Sequence, residues 1–334
     1  MKEIVFHIGT HKTGTTTVQY SLHQAQARGQ LAELGLYYPQ AGRIGRNGHH
    51  NLVYEVASQT RFRENLGGWE ALLQELQGRS EDRVVLSSES LSGYRNSPDL
   101  PEKCHALAQA LGRRARVVAY LRPQSAYLES IYAQNAATGY TSLRFERYLL
   151  ESIAQRAADY GAVLKNWEAR FGACEVFPFQ PQPGSTFLAQ FFKTIFDISL
   201  PEEVAEVRAN DRRGARAVEF ARKANEVAEK ADWPVARRQA LVRKVSEICA
   251  AQYPNEPRFS AMDAGLDRLV RQIYQDGNAA LLERYPHLRQ MFETPRAPRG
   301  DKAACLDLDA AGPVLRDAYY LVFQQAVRQV SKEA

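Results

Sequence analysis

The chain has 334 residues, of which 45% are hydrophobic and 24% charged, and its formal net charge is +5. That is the balance of a globular chain able to bury a sizeable core, and the mild positive excess suits an anionic ligand or acceptor rather than duplex DNA. No stretch of about 18 apolar residues occurs, so no membrane span is expected.

"EIVFHI" (residues 3–8) is a short apolar, β-branched run ending in glycine and reads as a buried strand. "TGTTTVQYSLHQAQARGQLAELG" reads as the helix after it. "LYYP" is a short strand stopped by Pro39, and "GRIGRNGHHN" is a loop. "LVYEVASQ" and "GWEALLQELQG" read as helices. "RVVLSSE" (83–89) is a second buried strand, followed by a helix around 102–111. "ARVVAYLR" (115–122) is a third strand, and Pro123 opens the helix "QSAYLESIYAQNAA". "YGAVLKNWEARFG" is an amphipathic helix, "CEVFPFQ" a fourth strand and "STFLAQFFKTIF" a further helix. From about Arg212 onward only helices are expected: "GARAVEFARKANEVAEKA", "PVARRQALVRKVSEICAAQ", "SAMDAGLDRLVRQIYQDGNAALLERY" and "VLRDAYYLVFQQAVRQV".

Strands alternating with helices define an α/β fold, a parallel central sheet with helices on both faces. The expected organisation is one domain over residues 1–334. An α/β core spans about 1–200, and a mainly helical C-terminal part spans 201–334. Ligands on such sheets bind at the carboxyl ends of the strands. This rule brings residues 9–16, Ser87-Ser88-Glu89 and Arg122 to one crevice. Trp69, Trp167 and Trp233 lie at helical spacings and read as core.

Cys104, Cys174, Cys249 and Cys305 are scattered with no C-x-x-C pair, so neither a zinc knuckle nor a disulfide framework is indicated. No metal-ligand cluster is evident, and His49-His50 alone does not make one. The chain starts almost at once on a strand, without a charged leader and apolar core, which predicts a cytoplasmic protein.

The stretch "FHIGTHKTGTTTVQ" carries the chemistry. Gly9 and Gly14 have the glycine spacing of a nucleotide phosphate loop, but Thr15 occupies the lysine position and the lysine stands earlier, at Lys12. A glycine-rich turn between strand and helix aims backbone N–H groups at an anion, and the helix N-terminus adds partial positive charge. Thr13, Thr15, Thr16 and Thr17 add hydroxyls. A strand ending in Arg122 would repel a metal ion and welcome a second phosphate, which points to a ligand with two separated anionic groups and no magnesium.

"HIGTHKTGTTTVQ" resembles the 5′-phosphosulfate loop of sulfotransferases that use 3′-phosphoadenosine 5′-phosphosulfate (PAPS), approximately [PQH]-K-[ST]-G-T-T. "LRPQSAYLES" supplies Arg122 and, eight residues on, Ser130, similar to that family's pair on the 3′-phosphate; Ser125 is the nearer competitor. "NDRRGAR" with Arg213 echoes a later Arg-Lys-Gly loop. The likeness is to bacterial and Golgi-type carbohydrate sulfotransferases and covers about the first 40% of the chain.

The resemblance implies a P-loop-related sulfotransferase fold and PAPS as donor, bound by Gly9, Lys12, Thr13, Gly14, Thr15, Thr16, Thr17, Arg122, Ser130 and Arg213. It implies a glycan, lipid or small-molecule acceptor, no nucleic acid and no metal. Lys12 would stabilise the leaving phosphate. Glu89, its pKa raised by partial burial, would be the base, with His49 or His50 as alternatives and His11 close to the sulfuryl group. His7, in the first strand, reads as a packed core histidine. Acceptor choice is expected from residues 40–50, residues 138–148 and the helical half; the oligomeric state is not legible. The competing readings are a P-loop kinase using Mg-ATP and a nucleotide-binding protein without catalysis.

Overall fold

In a computed structural model of the chain, the described residues are 2–93, 99–180, 185–200, 204, 213–295 and 306–331. In chain order the elements are β1 (Glu3–His7), α1 (Thr15–Ala27), α2 (Gln30–Glu33), β2 (Leu36–Tyr37), α3 (His50–Ala57), α4 (Trp69–Leu76), β3 (Arg83–Ser87), α5 (Ser90–Gly93) and α6 (Asp99–Ala110). There follow β4 (Arg114–Leu121), α7 (Gln124–Thr138), α8 (Phe145–Ala154), α9 (Tyr160–Phe171), β5 (Glu175–Pro178) and α10 (Phe187–Phe196). The last are α11 (Ala215–Lys230), α12 (Val235–Gln252), α13 (Ala264–Ile273), α14 (Gln275–Arg284), α15 (Arg289–Glu293) and α16 (Pro313–Val330).

The chain forms two compact units. The first comprises residues 1–122, 159–209 and 276–291 and contains the whole sheet. The strand order is β2-β3-β1-β4-β5 and every pairing is parallel. The expected α/β class and parallel sheet are therefore present. β1 lies centrally, with Val5 opposite Val85 of β3 and Arg116 of β4. The chain after β1 crosses to one side and later to the other, so its exit loop lies at the switch point where the carboxyl edge opens.

The alternation of β1 explains its burial on both faces. Val5 joins Val85, Val118 and Tyr120 in a cluster with Val18 and Leu22 of α1 and Phe191, Phe192 and Phe196 of α10. Phe6 points the other way, against Phe171 of α9. Burying each such side chain contributes about 1.5–3 kcal/mol, and this anchors the strand ends that carry the site.

The second unit, residues 123–158, 210–275 and 292–334, is helical. Helices α11, α12 and α16 bury Phe220, Leu241, Val245 and Val322 in one cluster. A second cluster gathers Leu128 and Tyr132 of α7, Phe145 and Leu149 of α8 and Val270 of α13. Arg222 of α11 is 2% exposed, bonded to Glu219 at 2.7 and 2.8 Å and to Glu226 at 3.1 Å.

Two expectations need correction. The long helix over residues 13–35 breaks at Gly29, whose φ of 75° is left-handed, so α2 is a separate turn. The helix over 260–285 breaks at Tyr274, which buries its ring and accepts a hydrogen bond from the Ala158 amide. Helix α8, an element not expected from the sequence, begins within the 138–148 segment. Trp69 and Trp167 are core as expected, and Trp233 is partly buried against the α11–α12 cluster. Cys104, Cys174 and Cys249 are buried free thiols, and Cys305 lies outside the described residues. Among the described residues no helix is long and apolar enough to cross a membrane.

Candidate active site at the carboxyl edge of the sheet

The β1–α1 loop is tied to β4 by its backbone. The Ile8 amide donates to Val118 O, Thr10 N to Tyr120 O and Tyr120 N to Gly9 O. Its glycines are required by space as well as by φ. A Cβ on Gly9 (φ 100°) would stand 2.9 Å from the backbone of Glu89, and one on Gly14 (φ 75°) 2.7 Å from the Phe187 ring. Lys12 also has positive φ, 63°, so it sits at a sharp reversal and is half-buried.

The hydroxyls divide by role. Thr13 Oγ1 and Thr15 Oγ1 both donate to the carbonyl of Thr10, at 2.6 and 3.2 Å, and so hold the loop in shape. Thr16 and Thr17 are half-buried in the first turn of α1. That turn has no side-chain cap and no acidic residue, which leaves its N–H groups and its end of the helix dipole available to an anion. Arg122, at the end of β4, donates from Nη1 to the Lys12 carbonyl at 3.0 Å. It braces the loop and adds a guanidinium charge beside it.

The β3 exit completes the edge. The Ser88 amide donates to His7 O, so residues 87–90 follow the first loop directly. His50 Nδ1 lies 2.8 Å from Ser88 Oγ and 3.1 Å from Ser90 Oγ, while its Nε2 is 3.8 Å from Glu89 Oε2. Gln19 of α1 donates to Glu89 Oε2 at 2.9 Å and to Ser87 Oγ at 3.3 Å. A Cβ on Gly48 would fall 2.1 Å from Ser87 O and 2.4 Å from Gln19 Nε2, which fixes glycine there.

Electrostatics correct the expectation for Glu89. Burial pushes its carboxyl up, but His50, His11, its own amide and Gln19 together outweigh that and hold it below the ordinary carboxylate range. Glu89 is therefore ionised at neutral pH. Burial lowers the His11 imidazole against the opposing pull of Glu89. The two adjacent histidines separate cleanly. His49 is buried and burial depresses it to about 3; its Nδ1 accepts from Ser87 N and its Nε2 faces Pro39 O at 3.1 Å. Both of its ring nitrogens are thus engaged by backbone groups, which pins His49 between the two segments. His7 is likewise depressed by burial, to about 4, with Nδ1 3.0 Å from Ser87 Oγ.

The structure thus brings together Gly9, His11, Lys12, Thr13, Gly14, Thr15, Thr16, Thr17, His50, Glu89 and Arg122 in the first unit. Ser130 lies half-buried on α7 of the second unit. Its competitor Ser125 is spent on a 2.6 Å hydrogen bond to Asp267. Arg213 is also in the second unit, its carbonyl accepting from the Phe259 amide, and residues 210–212 of the same motif lie outside the described residues. Gln19 and Gly48 were not among the candidates from sequence. Gln19 sits one turn beyond the threonines on the α1 face that looks at β3, a helical spacing from Thr15 and Thr16 that could have marked it.

Among the described residues no group of three His, Cys, Asp or Glu side chains is arranged to hold a metal ion. No protein-family model, curated protein or solved structure matches the chain.

Proposed function

We propose that the protein is a sulfotransferase that moves the sulfuryl group of PAPS to an acceptor hydroxyl. One observation carries the reading: Lys12 stands at the reversal of a glycine loop beside an uncapped helix start, with His50 and Glu89 on the neighbouring strand exit. The donor set of the loop suits a phosphosulfate, and Gly9 and Gly14 hold its shape by close packing on Glu89 and Phe187.

In the reaction an acceptor oxygen forms a bond to sulfur while the bond from sulfur to the 5′-phosphate oxygen breaks. The leaving group is 3′,5′-ADP. Lys12 and the α1 amides meet the charge that grows on its 5′-phosphate while Arg122 takes the 3′-phosphate, and preorganised donors at the growing charge are each worth roughly 10²–10³ in rate. The acceptor proton goes to His50. At 3.8 Å, His50 Nε2 and Glu89 Oε2 are too far apart for a direct hydrogen bond, and one hydroxyl oxygen bridges that spacing. Glu89, held ionised, orients the acceptor and balances the imidazolium.

The test uses sulfur-labelled PAPS with a panel of hydroxyl acceptors. Transfer by the wild-type protein, reduced roughly 10²–10³-fold in Lys12→Ala with unchanged melting, is expected. Undiminished transfer by Lys12→Ala would overturn the loop assignment. Absence of transfer to every acceptor, with 3′,5′-ADP still bound tightly, would make the protein a nucleotide binder without this chemistry.

A further inference from the structure

Residues 38–50 run from the carboxyl end of β2 to His50, and they bury a cation without a counter-charge. Arg43 is 8% exposed. Its Nη1 donates to His23 Nδ1 at 2.7 Å, and its guanidinium lies 5.0 Å from the centre of the Tyr38 ring. Its Nε is buried with no hydrogen-bond partner, and so is the Tyr38 hydroxyl. Among the described residues no carboxylate pairs with Arg43.

A guanidinium cannot shed its proton, so this buried charge has no local escape. The contacts with His23 and Tyr38 satisfy geometry but not charge. An uncompensated buried ion is strongly destabilising. A second cation makes matters worse: Arg46, exposed, stacks over Tyr20 at 5.7 Å. Tyr20 and His23 are three apart on α1 and so share one face of that helix. Burial, then Arg43, then Arg46 depress the His23 imidazole, so both cations bear on one point.

The cluster also lies toward the proposed reaction centre. Tyr38 is within electrostatic reach of both Arg43 and Glu89. Its ring meets His49 edge-on at 4.9 Å, and the His49 amide donates to Ser87 O. Arg43 is thus linked to the β3 exit through Tyr38 and His49, whereas Lys12 belongs to the β1–α1 loop.

We infer that Arg43, with Arg46 and His23, forms a second oxyanion site that takes an acidic group of the acceptor, so that the acceptor is an anionic molecule bearing a carboxylate, phosphate or sulfate. The word acceptor rests on the sulfotransferase reading; the anion site does not. On the sulfotransferase reading the donor's 5′-phosphosulfate has the β1–α1 loop and its 3′-phosphate has Arg122, so an oxyanion at Arg43 belongs to the molecule whose hydroxyl reaches His50.

The experiment follows the His23 imidazole by nitrogen-15 NMR while sodium sulfate replaces sodium chloride at constant ionic strength. A saturable shift at His23 is expected in the wild type and in Lys12→Ala. Binding about tenfold weaker or more is expected in Arg43→Met, the size of one lost charged hydrogen-bonding group. Arg43→Met should melt no lower than wild type in chloride, because it removes an unpaired buried charge. Arg46→Ala, at an exposed position, should keep the fold and weaken sulfate a few-fold. No saturable response at His23, or an equal response in folded Arg43→Met and Arg46→Ala, would overturn the site. With saturating 3′,5′-ADP present, a retained sulfate response supports the acceptor assignment. Displacement of sulfate by 3′,5′-ADP would reassign the site to the donor and refute an anionic acceptor on these grounds. Failure of 3′,5′-ADP to bind at all, with sulfate still seen at His23, would refute the donor reading while leaving the anion site standing.

Discussion

Two buried arginines contrast two regions of the molecule. In the helical unit, Arg222 is held by Glu219 and Glu226, and Glu219 also accepts from the Leu308 amide. Around it Lys223 reaches Asp309, and Arg144 pairs with both Asp307 and Asp309. Every charge in that layer has an opposite. At the carboxyl edge of the sheet, Arg43 has an imidazole and a ring but no acid, and α1 begins with no acidic residue and no cap. The first arrangement is complete within the chain and holds a fold together. The second leaves a buried cation without an acid and a helix start without a cap, which is the observation behind the proposed anion site.

The largest expected effect is in the helical unit. Arg222→Ala leaves Glu219 buried and unpaired, and a loss of about 3–5 kcal/mol is expected in urea unfolding, with Arg43→Met showing none of it. An equal loss at both positions would erase the distinction. Next in size is Gly14→Ala. Its φ of 75° and the 2.7 Å approach to Phe187 should cost about 1–3 kcal/mol and disturb the cradle, so 3′,5′-ADP affinity should fall together with the melting temperature. Unchanged affinity would mean that the loop shape is not used.

The mildest effect is on pH, and it separates the two units. His7 and His49 are depressed by burial to about 4 and about 3, so the unfolded chain takes up protons there that the folded one refuses. Their contribution is whole above about pH 6.5 and is lost as pH falls from there toward 4 and 3. In the helical unit burial would raise Glu226, but Lys230, Lys223 and Arg222 hold it at about 2; Lys223 and Arg144 hold Asp309 at about 2. Those contributions are whole above about pH 4.5 and are lost only as pH falls toward 2. Trp69 and Trp167 report on the first unit and Trp233 on the second. Between pH 7 and 5, the urea midpoint in a Trp233→Phe protein should drop more than that in a protein retaining only Trp233. Equal drops would contradict the assignment of the acid-sensitive groups.

Much of the edge was legible in the sequence because its signals are local. The strand, the glycine spacing, the threonines and the lysine of residues 6–19 lie within three turns of chain, and the strand exits at Glu89 and Arg122 follow from apolar runs. What was not legible depends on distant partners. The depression of Glu89 comes from His50 and His11, some 40 and 78 residues away, and sequence offers only its burial. Which of two adjacent histidines is a pin is decided by Pro39 and Ser87. Arg43 reads as an ordinary loop arginine until Tyr38 and His23 are seen to enclose it. Helix α8 did carry a local signal, since Phe145, Leu149 and Ser152 fall on one buried face, but charged residues among them obscure it.

The central claim, that the β1–α1 loop is a donor site for a 3′-phosphorylated adenosine phosphosulfate, is tested most directly by calorimetric titration with 3′,5′-ADP and with ATP, each with and without magnesium. Micromolar binding of 3′,5′-ADP without metal, weak ATP binding, and loss of the 3′,5′-ADP signal in Lys12→Ala are the expected results. Magnesium-dependent ATP binding, with 3′,5′-ADP no better than 5′-AMP, would contradict the claim.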